Sequence, residues 1–425
     1  KTIVPTYEYT GGDGGDGGEG ADGEGSAPGG DGGAGGDGGA GGPPLDPIAD
    51  INDANISRPG VGGVGGGGGA GGAAGADGAD GMSRTSYTTG YGGADFYDVN
   101  CYVELRDCII SHNASRQYDG TGIDGGGEYY QTDCRVILNR CDVAGNRAGF
   151  SGRGGGQYFN WSSTADINDC NYIDNSSGMD GGGLFCLSDS SFNIEGTSFV
   201  GNSALGYYGA GGAIYGGGVW DWSTATWHNG NTITINNSYF GANDAAFGGG
   251  LYWHGEDADV SIAGSSISGN TAEHGGGMYW VGGEVKITDS SIMGNRARTR
   301  WFLSDDAISQ QYFYYMYYYG FLKLYGGGGG MFCWSSDAQI ENCFITGNSS
   351  AGSGGGVYFG GDPSFPKLKN CVVKGNSAVL DGGGIVSYWN ATPTISNCTI
   401  VYNEAKDPKD AQHGRGGGLA CSYES

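Results

Sequence analysis

In ten places along residues 101–425 a branched aliphatic residue stands eight positions before an asparagine, without exception. The pairs are Leu105 and Asn113, Leu138 and Asn146, Ile167 and Asn175, Ile194 and Asn202, Ile235 and Asn243, Ile262 and Asn270, Ile287 and Asn295, Ile340 and Asn348, Leu368 and Asn376, Ile395 and Asn403. Three residues before each asparagine is a second apolar column, and two residues after it the side chain is always Ala or Ser. A glycine triplet or a variant of it follows, then an apolar and usually an aromatic residue, as in Gly181-Gly182-Gly183-Leu184-Phe185.

Segments of three to five residues with period-2 alternation, cut by glycine and Asn/Asp turns, cannot each bury a core alone. Stacking equivalent segments solves this, because each copy gains a neighbour above and below. The spacing, 25 to 28 residues at its tightest, predicts an all-β fold: a right-handed parallel β-helix (solenoid) of about ten coils. At about 4.8 Å per coil the rod would be roughly 45–50 Å long. A 3.6-residue beat is missing and the glycine triplets disfavour helix. Six residues before the asparagine the chain has Asp, Asn or Gly in nine copies of ten, with Arg140 the exception. Residues that tolerate left-handed backbone mark a bend there. An asparagine at one constant phase is read as a ladder of amides bonded along the stack. A catalytic row would need one specialised coil instead of ten equal ones.

Ahead of the repeat, residues 1–10 alternate β-formers with polar residues and are expected to form a free strand. Residues 11–95 are expected to be a glycine-rich extended arm or linker, with a three-residue beat of GGD, GGE and GGA. The β-helix is assigned to residues 96–425. No cofactor is expected. GGDGGDGGEG resembles calcium-binding nonapeptide repeats, which makes calcium a weak candidate, because the apolar residue those repeats need is missing. With 46 acidic against 20 basic side chains and a net charge of -26, the chain would repel a nucleic-acid backbone. No run of about 18 apolar residues exists, so no transmembrane segment is expected. The chain begins at Lys1 instead of a methionine, which suits exposure after removal of a secretion signal. The expected location is therefore extracellular or cell-surface.

Phe199-Val200-Gly201-Asn202 together with Gly211-Gly212-Ala213-Ile214 looks like the repeat of chlamydial-type polymorphic outer membrane proteins, and Phe240-Gly241-Ala242-Asn243 is a second match. Most other copies put Ile or Val for the Phe and a third Gly for the Ala, so the resemblance is to the repeat class. It covers about residues 101–425. What it implies is a surface-exposed parallel β-helix used for adhesion or as a scaffold, usually carried by an autotransporter barrel; no barrel sequence accompanies it here.

The eleven cysteines lack the CxxC pairs of a zinc or redox site and are read as structural. Cys108, Cys141, Cys170, Cys343, Cys371 and Cys398 stand five residues before an anchor asparagine, where other copies have Thr197, Ser238, Ser265 or Ser290. That exchange marks a small, inward-facing place where buried Cys acts as a compact hydrophobe. Cys101 and Cys134 share a second column, and Cys186, Cys333 and Cys421 a third. Neighbouring coils lie within the Cα separation of a disulfide, so some disulfides and at least one unlinked thiol are expected.

Eight Asn-x-Ser/Thr sequons occur. Asn113, Asn175 and Asn348 are anchors and expected to be buried. Asn160 and Asn390 in loops, Asn236 and Asn397 at the bend, and Asn55 are the glycosylation candidates. An insertion between Asn295 and Gly326 carries Tyr312, Phe313, Tyr314, Tyr315, Tyr317, Tyr318, Tyr319 and Phe321. It reads either as a loop folded over an outer aromatic ladder of Tyr252, Tyr279 and Tyr358, or as a contact surface for another subunit or for sugar rings.

The five histidines share no metal-ligand spacing. The column before the glycine triplet (Asp124, Arg153, Asp180, Phe247, His274, Ser353, Asp381, Arg415) has no chemical theme. An enzyme is therefore not expected; a polysaccharide lyase or hydrolase, with clustered carboxylates on one face, is the less favoured alternative. The expectation is a secreted structural protein, a subunit of a filament, sheath or surface appendage. Residues 1–10 would add to a sheet of the next copy in a head-to-tail contact. A cell-surface adhesin or carbohydrate-binding rod is the rival.

Overall fold

The computed structural model describes residues 91–115, 123–217, 219–221, 226–228, 230–255, 258–298, 327–361, 363–406 and 414–422. All regular structure among them is strand.

One coil shows the plan. Gln157–Phe159, Thr164–Asn168, Asn171–Ile173 and Ser176–Ser177 are consecutive strands, and each pairs in parallel with its equivalents one coil before and after. Repetition yields sheet 1 with eleven strands, from Asp95–Tyr97 to Leu419–Ser422, and sheets 2 and 3 with ten each. Sheet 4 consists of two-residue strands in runs of four and five, joined by single bridges through Asp244. Parallel strands connected in this way wind right-handed. The protein is a right-handed parallel β-helix, and eleven strands at about 4.8 Å make a rod of about 48 Å. The first coil already includes Asp95–Tyr97, which overlaps the arm assigned to residues 11–95. A short antiparallel hairpin, Val219–Asp221 with Thr226–His228, is inserted between the sheet 1 and sheet 2 strands of one coil.

The two apolar columns of the sequence are continuous rows in space. Leu105 to Ile395 follow one another through sheet 2, and Ile110 to Ile400 through sheet 3, each in register with the next. Most are fully buried; Leu105, Ile395 and Ile400, at the two ends, are partly so. At about 1.5–3 kcal/mol per buried apolar side chain, these rows offset the turns each coil must make.

The turns are left-handed. Six residues before the asparagine, φ lies between 48° and 57° in all ten coils, Arg140 included. Arg140 is held there by a bidentate pair with Asp107 one coil before, at 2.7 and 2.9 Å. A second left-handed residue, one before the asparagine, was not expected; its φ is between 52° and 68° in every coil. The glycine triplet has a separate reason at each place. In Gly154-Gly155-Gly156, Gly154 has φ of 64°. A Cβ on Gly155 would lie 2.3 Å from the Gly182 oxygen and 2.4 Å from that of Ser176, so sheet 4 rests its backbone directly on the glycine row. The third glycine lies against the next coil's backbone and the core, a Cβ there falling 2.5 Å from the Gly183 oxygen, 3.0 Å from Val143 Cγ1 and 3.3 Å from Asn175 Cγ.

Candidate functional site

Each of the eight inner anchor amides, from Asn146 to Asn376, is saturated. Its Nδ2 donates to Oδ1 of the asparagine one coil on, at 2.8 to 3.1 Å, through all nine steps from Asn113 to Asn403. The same Oδ1 accepts the backbone N–H of the previous asparagine. The other Nδ2 hydrogen goes back one coil to the carbonyl three residues before that coil's anchor, as from Asn175 to Val143 at 2.7 Å. Asn146, Asn175, Asn202, Asn243, Asn270, Asn295 and Asn348 have no exposed surface, and Asn376 almost none.

The expected disulfides are not there: all eleven cysteines are unlinked. The physical reason is direction. In-register parallel strands point equivalent side chains the same way, so neighbouring Cβ atoms stay near the strand spacing of about 4.8 Å, beyond the roughly 3.8 Å a disulfide prefers. The thiols are instead hydrogen-bonding groups. Cys108, Cys170, Cys343, Cys371 and Cys398 each donate to the carbonyl two residues earlier, at 3.1 to 3.3 Å. Thr197, Ser238, Ser265 and Ser290 make the same bond at 2.7 to 3.0 Å. Cys170, Thr197, Ser238, Ser265 and Ser290 also accept an N–H from the coil before, as Cys170 Sγ does from Cys141 and Ser238 Oγ from Thr197. This shared bond explains why Cys, Ser and Thr interchange, which the hydrophobe reading missed. The second column behaves alike, Cys134 N donating to Ser163 Oγ; Cys101, just before it, is half-buried.

On the outer side of sheet 1, nine rings stack without a break: Phe96, Tyr129, Tyr158, Phe185, Tyr215, Tyr252, Tyr279, Phe332 and Tyr358. Their centroids are 4.5 to 5.4 Å apart and their planes within 5° to 16° of parallel. Both faces of each inner ring are taken by its neighbours, so the ladder offers edges, not the flat faces on which sugars stack.

Beside this ladder run the residues that precede the glycine triplets. Asp124 and Asp180 each accept the N–H of the equivalent residue one coil on, from Arg153 at 2.8 Å and Ala210 at 3.1 Å; Asp381 does the same for Arg415 at 2.9 Å. The carboxylates hold the left-handed turn, a role the sequence reading did not find. Burial pushes Asp180 up to about 6, against the pull of Arg153 at 3.5 Å. His274, stacked on Phe247, is pushed down to about 4 by burial, and its Nδ1 accepts from Gly327 N. Among the described residues, His, Cys, Asp and Glu form no group of three or more that could hold a metal ion. No helix among them is long and apolar enough to cross a membrane.

Asn397 is exposed, and Asn160, Asn236 and Asn390 are half-buried. Asn175 and Asn348 are buried as expected and commit both amide hydrogens to the ladder, whereas Asn113, expected to be buried, is half-buried because no coil among the described residues precedes its rung, and donates one hydrogen, to Asn146. The strand expected over residues 1–10, the acidic glycine tract that resembles calcium-binding repeats, Asn55 and the aromatic insertion from Tyr312 to Phe321 lie outside the described residues. A groove of about 520 Å³ lies along sheet 4, lined by Ser349 and Ser377 together with Arg296, Glu404 and Lys406.

The geometry defines a parallel β-helix whose anchor asparagines repeat in every coil. Residues 223–425 match the family described as Right handed beta helix region. Comparison with curated proteins and with solved structures finds no match.

Proposed function

We propose that this protein is a structural rod of the cell exterior, a subunit of a filament, sheath or surface appendage, and not an enzyme. The observation that supports this reading is the amide ladder: ten asparagines joined by the same amide bond in nine successive steps along the rod. Such a row stiffens a shaft and singles out no coil for chemistry. The repeat's resemblance to polymorphic outer membrane proteins fits the same surface role. In this reading residues 1–42 link one copy to the next, their terminal strand adding to a neighbour's sheet. Deleting residues 1–42 and imaging intact and shortened protein by electron microscopy tests it. The intact chain should polymerise and the shortened one should not; polymers of unchanged length would eliminate the arm as linker.

The groove along sheet 4 favours a second reading, an adhesin or carbohydrate-binding rod. Serine hydroxyls between Arg296 and Lys406 suit an acidic glycan. Glycan binding by a protein that stays monomeric, and is weakened in Arg296→Ala, would select it. N-linked sugar, if added, belongs at Asn397 and Asn390, not at the ladder sequons.

A further inference from the structure

Glu128 occupies a core place. It follows its glycine triplet at the position where later coils carry Leu184, Ile214, Leu251 and Met278, and it has no exposed surface. Oε2 of Glu128 accepts from Tyr130 Oη at 2.8 Å and from Gln157 Nε2, and Gln157 Oε1 accepts in turn from Tyr172 Oη. Its other oxygen, Oε1, is buried with no partner. In register with it in the preceding coil stands Asp95, on the same side of sheet 1.

A buried carboxylate with one naked oxygen and a second carboxyl beside it is a poor arrangement while both are ionised. We propose that Glu128 carries a proton on Oε1 and donates it to the Asp95 carboxylate, so that the pair shares one proton and clamps the first coil to the second. Among the described residues, no cation is one of the groups that act on Glu128. The groups facing Glu128 are Asp95 from the first strand, Tyr130 on its own strand, Gln157 one coil on, Tyr172 of sheet 3, and the thiols of Cys108 and Cys141. Tyr97, stacked on Tyr130 at 4.9 Å, closes the same region. Burial first, then Asp95, push Glu128 up to about 8, while its bonds from Gln157 and Tyr130 pull the other way.

The sign follows from linkage. When the first coil opens, Glu128 meets water and ionises at its ordinary value near 4.5, whereas in the closed coil it keeps its proton to about 8. Closure is therefore fully present below the lower value and is lost as pH rises toward the upper one, by about tenfold per pH unit.

Hydrogen exchange on the full chain, corrected for the intrinsic pH dependence of exchange, reads this directly. Protection of peptides covering residues 95–106 should fall by about that factor per unit up to pH 8, while those covering 278–293 should not follow. Glu128→Gln, whose amide can still donate to Asp95, should remove the slope. A flat wild-type profile, or a slope that persists in the variant, overturns the clamp. Should the variant not fold, infrared titration of the wild type decides alone. A protonated-carboxyl band must persist at pH 7 and vanish with a midpoint near 8; its absence at pH 7 overturns the proposal.

Discussion

Asn270 uses its amide four times. Nδ2 donates to Phe240 O at 3.0 Å and to Asn295 Oδ1 at 3.0 Å, and Oδ1 accepts from Asn243 N at 3.0 Å and Asn243 Nδ2 at 2.8 Å. Replacing it by Ala strands two donors, Asn243 N and Nδ2, and takes a donor from Phe240 O where water does not reach, while Asn295 Oδ1 keeps the backbone N–H of residue 270. At about 1–3 kcal/mol for each unsatisfied group, with incomplete additivity, Asn270→Ala should cost about 3 kcal/mol or more in denaturant unfolding. Asn270→Asp should be worse at pH 7, because a buried carboxylate would face two acceptors, and should recover part of the loss at pH 4, where it is protonated. A variant that is equally stable at both pH values would rule out this account. The asparagine could be found from sequence because its phase never varies. The thiols were misread because a cysteine in a column says nothing of where its Cβ points; parallel stacking decides that, and it decides against cross-links.

At the scale of the element, the glycine triplet separates backbone conformation from close approach. A Cβ on Gly276 would meet Gly329 O at 2.4 Å and the Arg296 carbonyl carbon at 2.5 Å, both backbone and unable to step aside. One on Gly294 meets nothing within 4 Å; only its φ of 60° opposes a side chain, and His112, Ala242 and Tyr402 accept that conformation in the same column. Gly294→Ala should thus cost about 1–2 kcal/mol. Gly276→Ala should cost several kcal/mol or prevent folding, because sheet 4 must lift off the glycine row. Similar denaturation midpoints for the two would refute the backbone contact. The bend six residues before the asparagine was legible from its Asp, Asn and Gly. Its companion one residue before the asparagine was not, because His112, Ala242 and Tyr402 disguise a left-handed turn. Nor does sequence show that Trp253 lies over Gly216, where a Cβ would meet its ring at 1.8 Å.

Across the whole molecule the buried ionisable groups give stability an acid-leaning pH dependence. Glu128 at about 8 and Asp180 at about 6 keep protons that the unfolded chain releases at lower pH, so their contributions are lost as pH rises through those values. His274 at about 4 acts oppositely, losing stability as pH falls from 6.5. The carboxyls span the wider range, so the protein should be more stable at pH 4.5 than at pH 8.5, by roughly a few kcal/mol. Thermal unfolding across that range checks the sign; a maximum near pH 8 would contradict it. Sequence alone determined that the chain is a solenoid, which residues share a row, and that the asparagines form a ladder, because a periodic pattern with one buried face has only one way to satisfy every copy. Tertiary structure alone decided that the thiols stay apart, that the outer rings stack face to face, that the charged column pins turns, and that Glu128 lies beneath Asp95. Those outcomes depend on the direction in which each side chain leaves the stack and on which neighbour it meets one coil away, and a linear sequence carries neither.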